Sequence, residues 1–398
     1  MSVPVIRLKR GEERRIRSGH LWIYSNEVDT AATSLKALTP GGEVVVEDSR
    51  GKALGRAYAN PHSLICARLF SRDPNQSLDR PFLHRQIAQA VSLREALFEG
   101  GCYRAVFGDG DGLSGLVIDR FADTFVIQSG TAGMDAVLDD IAAALDDLYS
   151  PQHIVVKSES AVREQEGLAP MVQALKGELP AEVLLHENGV RYLAPLAEGQ
   201  KTGWFYDHRA ARRRLLPLVP GARVLDVFSY CGAWGVLAAA RGAASVTCVD
   251  SSARAMEYVQ RNAELNGVAD RVTTLAMEAN AAMKELILQG QRFDVVVIDP
   301  PAFIKRKKDF KNGLAGYHAI NELAMRLVEP GGVLVSASCS MHLSRAQLMD
   351  VVRASGRHID RFVQVFASEG QGEDHPVHPA IPETEYLNSI FARVLMNV

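Results

Sequence analysis

Apolar and polar positions along the chain fall into three regimes. Up to about residue 70 the apolar runs are short and divided by turn signals, Gly41-Gly42 before EVVVED, Gly51 before KALGRAYA and Asn60-Pro61 before LICARLF. That pattern predicts a small, mostly β domain over 1–71. Next come helical periodicity over 80–99, a loop-rich stretch from CYRAVF to LSG flowing into two strands, a helix near 135–148 and a strand IVVKS. They predict a central α/β domain over 72–181 of strand-strand-helix-strand-strand type. The third regime, 182–398, opens with a hairpin about Asn188-Gly189. It then alternates: VLDV, an alanine-rich helix, SVTCVD, a helix over 252–266, RVTTLAM, a helix over 279–289, FDVVVID, a helix over 318–328 and VLVSASCS, then one more helix and edge segments. Such alternation predicts a Rossmann-like parallel sheet covered by helices, so the fold class is α/β.

The first β-α-β unit, Val224 to Asp250, carries the clearest chemistry. Gly232 and Gly235 let the backbone approach a ligand, and the helix behind them offers unpaired N–H groups. Asp250 closes the second strand, where a carboxylate can accept both hydroxyls of a ribose. The dinucleotide spacing G-x-G-x-x-G is absent, which disfavours a dehydrogenase and leaves pyrophosphate a poor cradle. S-adenosylmethionine, with ribose and adenine but no phosphate, fits better.

Four strands of this domain end in polar residues, Asp226, Asp250, Asp299 and Cys339, and carboxyl ends of parallel strands share one ligand-binding edge. The four are expected in register. Pro300-Pro301 cannot continue a ladder and force the chain out after Asp299. Asp299-Pro300-Pro301 resembles the Asp/Asn-Pro-Pro motif of methyltransferases that act on planar nitrogen or carbon, where it grips a base edge. Cys339 then points to cytosine C5, which must be activated by a thiolate added at C6 before it can take a methyl group. Cys231 is the rival nucleophile and reads as structural; Cys66, Cys102 and Cys248 read as core.

Composition changes the picture little. The net charge of −3 means that nucleic-acid binding must use local patches. Two are present: Arg7, Lys9, Arg10, Arg14, Arg15 and Arg17, beside Trp22 and Tyr24, and Lys305-Arg306-Lys307-Lys308. Five scattered cysteines without a Cys-x-x-Cys pair point to a reducing compartment and against structural zinc. Asp109, Asp111 and Asp119 in a Gly-rich loop read as turn formers rather than metal ligands. No apolar run has membrane-spanning length and the N-terminus lacks a signal-peptide core, so a cytoplasmic protein without membrane or metal is expected.

The opening LKRGEERRIRSGHLWIY resembles the start of a PUA domain, an RNA-binding β-barrel. With FSYCGAWG, VIDPPAF, the SCS about Cys339, KTGWFYDHR and YRAVFGDGDGLSGLVIDRF, nearly the whole chain resembles the bacterial 23S rRNA (cytosine-5)-methyltransferase family that carries an N-terminal PUA domain. The resemblance implies a class I S-adenosylmethionine-dependent enzyme acting on 23S rRNA or an early large-subunit assembly particle. It makes Cys339 the nucleophile and Asp299 the base-gripping acid, with Lys201 beside them. It implies that Thr202, Phe205, Asp207, Arg209, Phe228, Ser229, Tyr230, Gly232, Asp250, Ser251, Glu278, Asn280, Asp299 and Pro300 surround the cofactor. It also brings Lys305–Lys308 and Tyr317 to the RNA. Relatives commonly have Thr at Cys231, an Asp near 278–280 and an Arg before the Gly-Tyr of Tyr317, so the adenine contact falls to Glu278 or Asn280 here. N-methylation of an rRNA base and a non-catalytic RNA-binding assembly factor are the competing readings. The sequence leaves the base that takes the C5 proton, the target cytosine and a homodimer open.

Overall fold

A computed structural model describes residues 3–199 and 201–397. The chain folds into two compact units. The first comprises the chain up to Val183 with Pro195–Trp204 and Glu373–Thr384; the second comprises Leu184–Ala194, Phe205–Gly372 and the chain from Glu385 on. The two domains expected over 1–71 and 72–181 thus share one unit, and two segments expected in the third domain pack with them.

In the first unit, β1 (Val5–Arg7), β2 (Trp22–Tyr24), β3 (Glu43–Glu47), β4 (Ala53–Ala59) and β5 (Ile65–Ser71) form a sheet of order β1-β3-β4-β5-β2. A second sheet, β10-β9-β8-β7-β6, is built from β6 (Cys102–Phe107), β7 (Leu116–Phe121), β8 (Thr124–Ser129), β9 (His153–Ser158) and β10 (Met171–Lys176). It holds one strand more than expected, because Cys102–Phe107, read as loop, pairs along β7 and buries Cys102, Tyr103, Ala105 and Val106. Helices Arg80–Leu97 and Leu138–Tyr149 bury Phe82, Leu83, Ile87, Ile141 and Leu145 in the same core.

Hydrogen bonds to charged groups pin the outlying segments of this unit. Lys157 on β9 donates to the carbonyl of Leu196 at 2.8 Å, and Thr202 donates to Asp119 on β7 at 2.5 Å. Arg94 and the Arg104 backbone N–H both reach Asp374, at 2.9 Å. The loop acids do more than form turns. Asp111 pairs with Arg94 and Asp119 with Arg104, while Asp109 accepts from the Trp22 indole at 2.8 Å. Trp22 is accordingly a packing residue.

In the second unit a hairpin of β11 (Glu182–Glu187) and β12 (Val190–Pro195) precedes a seven-stranded sheet. Its strands are β13 (Arg223–Val227), β14 (Ser245–Asp250), β15 (Val272–Ala276), β16 (Phe293–Ile298), β17 (Val328–Ser338), β18 (Arg361–Glu369) and β19 (Asn388–Met396), in the order β15-β14-β13-β16-β17-β19-β18. Pairing is parallel from β15 through β17 and antiparallel at β19 and β18. The strand order reverses beside β13, the switch point at which open α/β sheets bind ligands. The expected helix over 318–328 begins earlier, at Phe310. Gly313 lies inside it because a Cβ there would stand 2.7 Å from the Phe303 carbonyl oxygen.

Glu166 joins the two sheets of the first unit: it is buried and accepts from Asn60 at 2.8 Å and from Arg68 at 3.0 Å. Glu166→Ala leaves the buried Arg68 guanidinium without its carboxylate and should cost about 3 kcal/mol. A urea titration should show the midpoint falling; an unchanged midpoint would remove the pair from any role in stability.

Candidate active site at the strand ends

Val249, Val227, Ile298 and Ser336 stand opposite one another on β14, β13, β16 and β17. Asp250 and Asp299 each lie one residue past that row, Asp226 one residue before it and Cys339 three residues past it. The four strand-end residues are therefore not in register. Asp250 and Asp299 share a level, and Cys339 follows the end of β17 at Ser338. Asp226 is inside β13 and fully buried, where Oδ2 accepts from the Gly235 N–H at 2.8 Å. It secures the turn instead of facing a ligand. Burial pushes its carboxyl up to about 7, more than the Gly235 N–H pulls it down.

The turn between β13 and the helix Gly235–Ala240 is unusual backbone. Phe228 and Tyr230 have φ of 68° and 47°, in the left-handed region that non-glycine residues rarely occupy. Such strain persists where the surroundings enforce it, and it collects at functional sites. Here Ser229 enforces it: its hydroxyl donates to the Asp226 carbonyl at 2.7 Å and accepts the Val249 N–H at 2.9 Å. Ser229 is buried and fully engaged in this way. Asp250 accepts the Tyr230 N–H at 3.0 Å and the Ser252 N–H at 2.9 Å, one on each oxygen, and stays partly exposed. Gly232 has φ of 81°, and a Cβ there would stand 2.8 Å from Val236. Ser251 is exposed beside Asp250. A nucleoside fits the half-exposed carboxylate held rigidly at the end of β14, whereas Gly232 is buried and its missing Cβ spares the core side chains of Val236 and Val259 rather than opening an approach for a ligand.

Asp299 is held from two sides. Its Oδ2 accepts from Trp234 Nε1 at 3.1 Å, and its Oδ1 meets His208 Nε2 at 3.1 Å. Burial opposes a charge on His208, but the carboxylates of Asp299 and Asp207 outweigh it and raise the imidazole pKa above its ordinary value. Sequence reasoning missed both His208 and Trp234. Only their density of polar and aromatic neighbours marked them, since neither lies near Asp299 in the chain. Asp207 is buried and accepts from the Tyr386 hydroxyl at 2.6 Å. Arg209 is buried over the Tyr206 ring, 3.6 Å from Glu187, which Arg212 also engages. Phe205 stands edge-on to Tyr230 with centroids 5.5 Å apart.

Several expected contacts are otherwise employed. Glu278 caps the helix Ala279–Leu288 by accepting the Ala281 N–H at 3.0 Å, and Asn280 donates to it at 3.1 Å, so the two residues proposed for adenine bind each other. Tyr317, expected to meet RNA, is fully buried, because its helix turns it onto the sheet. Thr202 is buried against Asp119 within the first unit, whereas Lys201 is exposed with φ of 51°. In the N-terminal strip Arg7, Arg15 and Arg17 pair with Glu47, Glu27 and Asp48, and Lys9 donates to the Asn26 carbonyl. Arg10 and Arg14 are exposed, as are Lys305, Arg306, Lys307 and Lys308, with Arg306 3.1 Å from Asp309. Pro300 is buried. Among the described residues no cluster of His, Cys, Asp and Glu could hold a metal ion, and no helix is long and apolar enough to cross a membrane.

Two family models match, one described as a PUA-like domain over residues 6–72 and one as conserved hypothetical protein 95 over 208–340. The chain is 35% identical over 394 residues to ribosomal RNA large subunit methyltransferase I of Shewanella denitrificans, across 98% of this chain and 99% of that one. The chain belongs to that family. The ribosomal RNA large subunit methyltransferase I of Klebsiella pneumoniae is 34% identical over 398 residues, covering 98% of both chains. Among solved structures, a SAM-dependent methyltransferase from Streptococcus mutans superposes at a TM-score of 0.82 with 21% identity, over 98% of this chain and 100% of that one. A methyltransferase complexed with SAH gives 0.83 and 21%, over 99% and 100%. At that identity the likeness is one of fold, and it spans both units of this ribosomal RNA large subunit methyltransferase I family member.

Asp226 yields a pH prediction. Its folded pKa, about 7, lies above the unfolded carboxylate value, so ionisation opposes folding. The penalty is absent below about pH 4, grows as pH rises to about 7 and is constant above, reaching at most about 4 kcal/mol. Asp226→Asn should therefore gain stability relative to the wild type between pH 4.5 and pH 8 in cofactor-free denaturant titrations. A difference that does not change with pH would show that Asp226 is not buried as an acid.

Proposed function

We propose that this protein transfers a methyl group from S-adenosylmethionine to C5 of a cytosine in large-subunit ribosomal RNA, through a covalent bond between Cys339 and C6. The observation that carries this is the exposure of the cysteines: Cys66, Cys102, Cys231 and Cys248 are buried, whereas Cys339 is partly open, just past the end of β17 and two residues beyond the level of Asp299. Burial also raises the thiols of Cys66, Cys231 and Cys248, which removes them as thiolate donors at neutral pH.

Cys339 adds as thiolate to C6, and the electron pair displaced from the C5–C6 double bond makes C5 nucleophilic. When bound, the cofactor would supply the methyl group from its sulfonium to C5 and leave as the thioether; Phe228, Tyr230 and Asp250 are the residues that would hold it. Loss of the C5 proton to a base then drives the thiolate out and restores the ring. Asp299, held by Trp234 and His208, faces the polar edge of the base, with lone pairs left to accept from the exocyclic amine. Lys305–Lys308 supply charge to phosphates flanking an extruded base. The names of the relatives, ribosomal RNA large subunit methyltransferase I, support the substrate class.

Two measurements test this reading. Labelled methyl transfer to large-subunit rRNA, followed by nuclease digestion and mass analysis, should yield 5-methylcytidine, and Cys339→Ala should lose at least about a thousandfold in rate with cofactor affinity unchanged. A methylated amine as product, or full turnover by the variant, overturns the thiolate route. Replacing Lys305, Lys307 and Lys308 by Ala should lower the salt dependence of RNA binding by about two to three in log–log slope. An identical slope would remove this loop from the RNA interface.

A further inference from the structure

The residues on either side of Cys339 are tied to a single hydroxyl. Ser338 donates to Tyr317 Oη at 2.8 Å, and Tyr317 Oη and Ser340 Oγ lie 2.9 Å apart. The Ser340 N–H closes the ring by donating to Ser338 Oγ at 3.2 Å. All three side chains are buried, whereas Cys339 between them is partly exposed. The same hub reaches the other half of the site: Ser340 Oγ accepts the Ile304 N–H at 3.2 Å, and the Phe303 ring lies 4.8 Å from the Tyr317 ring. Phe303 and Ile304 belong to the loop that leaves β16 at Asp299-Pro300-Pro301. Gly313, one turn before Tyr317, lets that loop sit directly on the helix.

We infer that Tyr317 is the positioning residue that fixes Cys339 relative to Asp299, by bonding both serines that flank the cysteine and packing under the loop that follows the aspartate. This rests on the reading of Cys339 as the nucleophile. A turn after a strand end has soft dihedrals of its own, so without the ring the thiol is not held at one attack angle. Thiolate addition to C6 is sensitive to such displacement, since an error of about 1 Å costs up to about a hundredfold. Tyr317 itself is fully buried. It acts through the backbone at 338–340, and the buried polar ring is a satisfied network rather than a proton relay.

The test is adduct formation with large-subunit rRNA transcribed with 5-fluorocytidine, which traps the cysteine–C6 bond after methyl transfer, read by gel shift under denaturing conditions. Tyr317→Phe, which deletes one oxygen, should slow adduct formation about ten- to hundredfold while leaving the affinities for RNA and S-adenosylmethionine unchanged. Ser338→Ala should behave alike, and Ser338→Thr, which keeps the hydroxyl, should restore the rate. Thermal melts exclude unfolding as the cause; if Tyr317→Phe is unfolded, the Ser338 pair decides. Wild-type adduct rates in both Tyr317→Phe and Ser338→Ala, with Cys339→Ser inactive, overturn the inference and leave the nucleophile standing. No adduct in the wild type, with methyl transfer surviving in Cys339→Ala, overturns both.

Discussion

The Asp299 backbone continues the ladder, its N–H donating to the Val227 carbonyl, but the two prolines that follow carry no N–H to offer its carboxylate. Asp299 meets this constraint by taking its donors from elsewhere, Trp234 from the turn after β13 and His208 from the short helix Tyr206–His208. Those two contacts organise the second unit around one point. They bind the segment before β13, the turn after it and the end of β16 to the same carboxylate. The buried cluster of Glu187 with Arg209 and Arg212 anchors the hairpin strand β11 beneath that segment. The carboxylate is consequently rigid, its two oxygens each fixed by a donor from a different segment.

What the sequence disclosed and what it concealed divide by the range of the interaction. Asp250, Asp299 and Cys339 were legible because apolar runs end on them, and a polar residue closing a buried strand has few structural reasons to exist. Asp226 looked the same and is not, since a run of letters does not say whether its final acid is the last residue of the ladder or the first beyond it. Tyr317 was brought to the RNA by resemblance alone, which does not say which way a helix turns a side chain. The two glycines before it belong to the same helix and are small so that Phe303 and Ile304 can lie against it. His208 and Trp234 could not be found by spacing at all, because their partner lies roughly 65 to 90 residues away in the chain.

The turn after β13 shows how local rules yield to fixed neighbours. Left-handed backbone at Phe228 and Tyr230 would ordinarily call for glycine. Ser229 and Asp250 hold it in place by receiving or giving bonds that a relaxed turn would leave unmade. Cys231, which no sequence argument explained, is buried beside this turn, with its carbonyl accepting from Asn262 at 2.9 Å. Its part is to fill the core under the strained residues.

The interleaving of the two units bears on how the molecule is made. The chain passes between them after Val183, Ala194, Trp204, Gly372 and Thr384. During synthesis from the N-terminus, the last acceptor for Arg94 and the carboxylate that takes the Arg104 N–H arrive with Asp374. Until then Arg94 is held by Asp111 and by the carbonyls of Ala90 and Arg104, one bond short of its full set. The first unit to emerge is thus among the last to be finished, and a chain interrupted short of residue 374 lacks the piece that completes it.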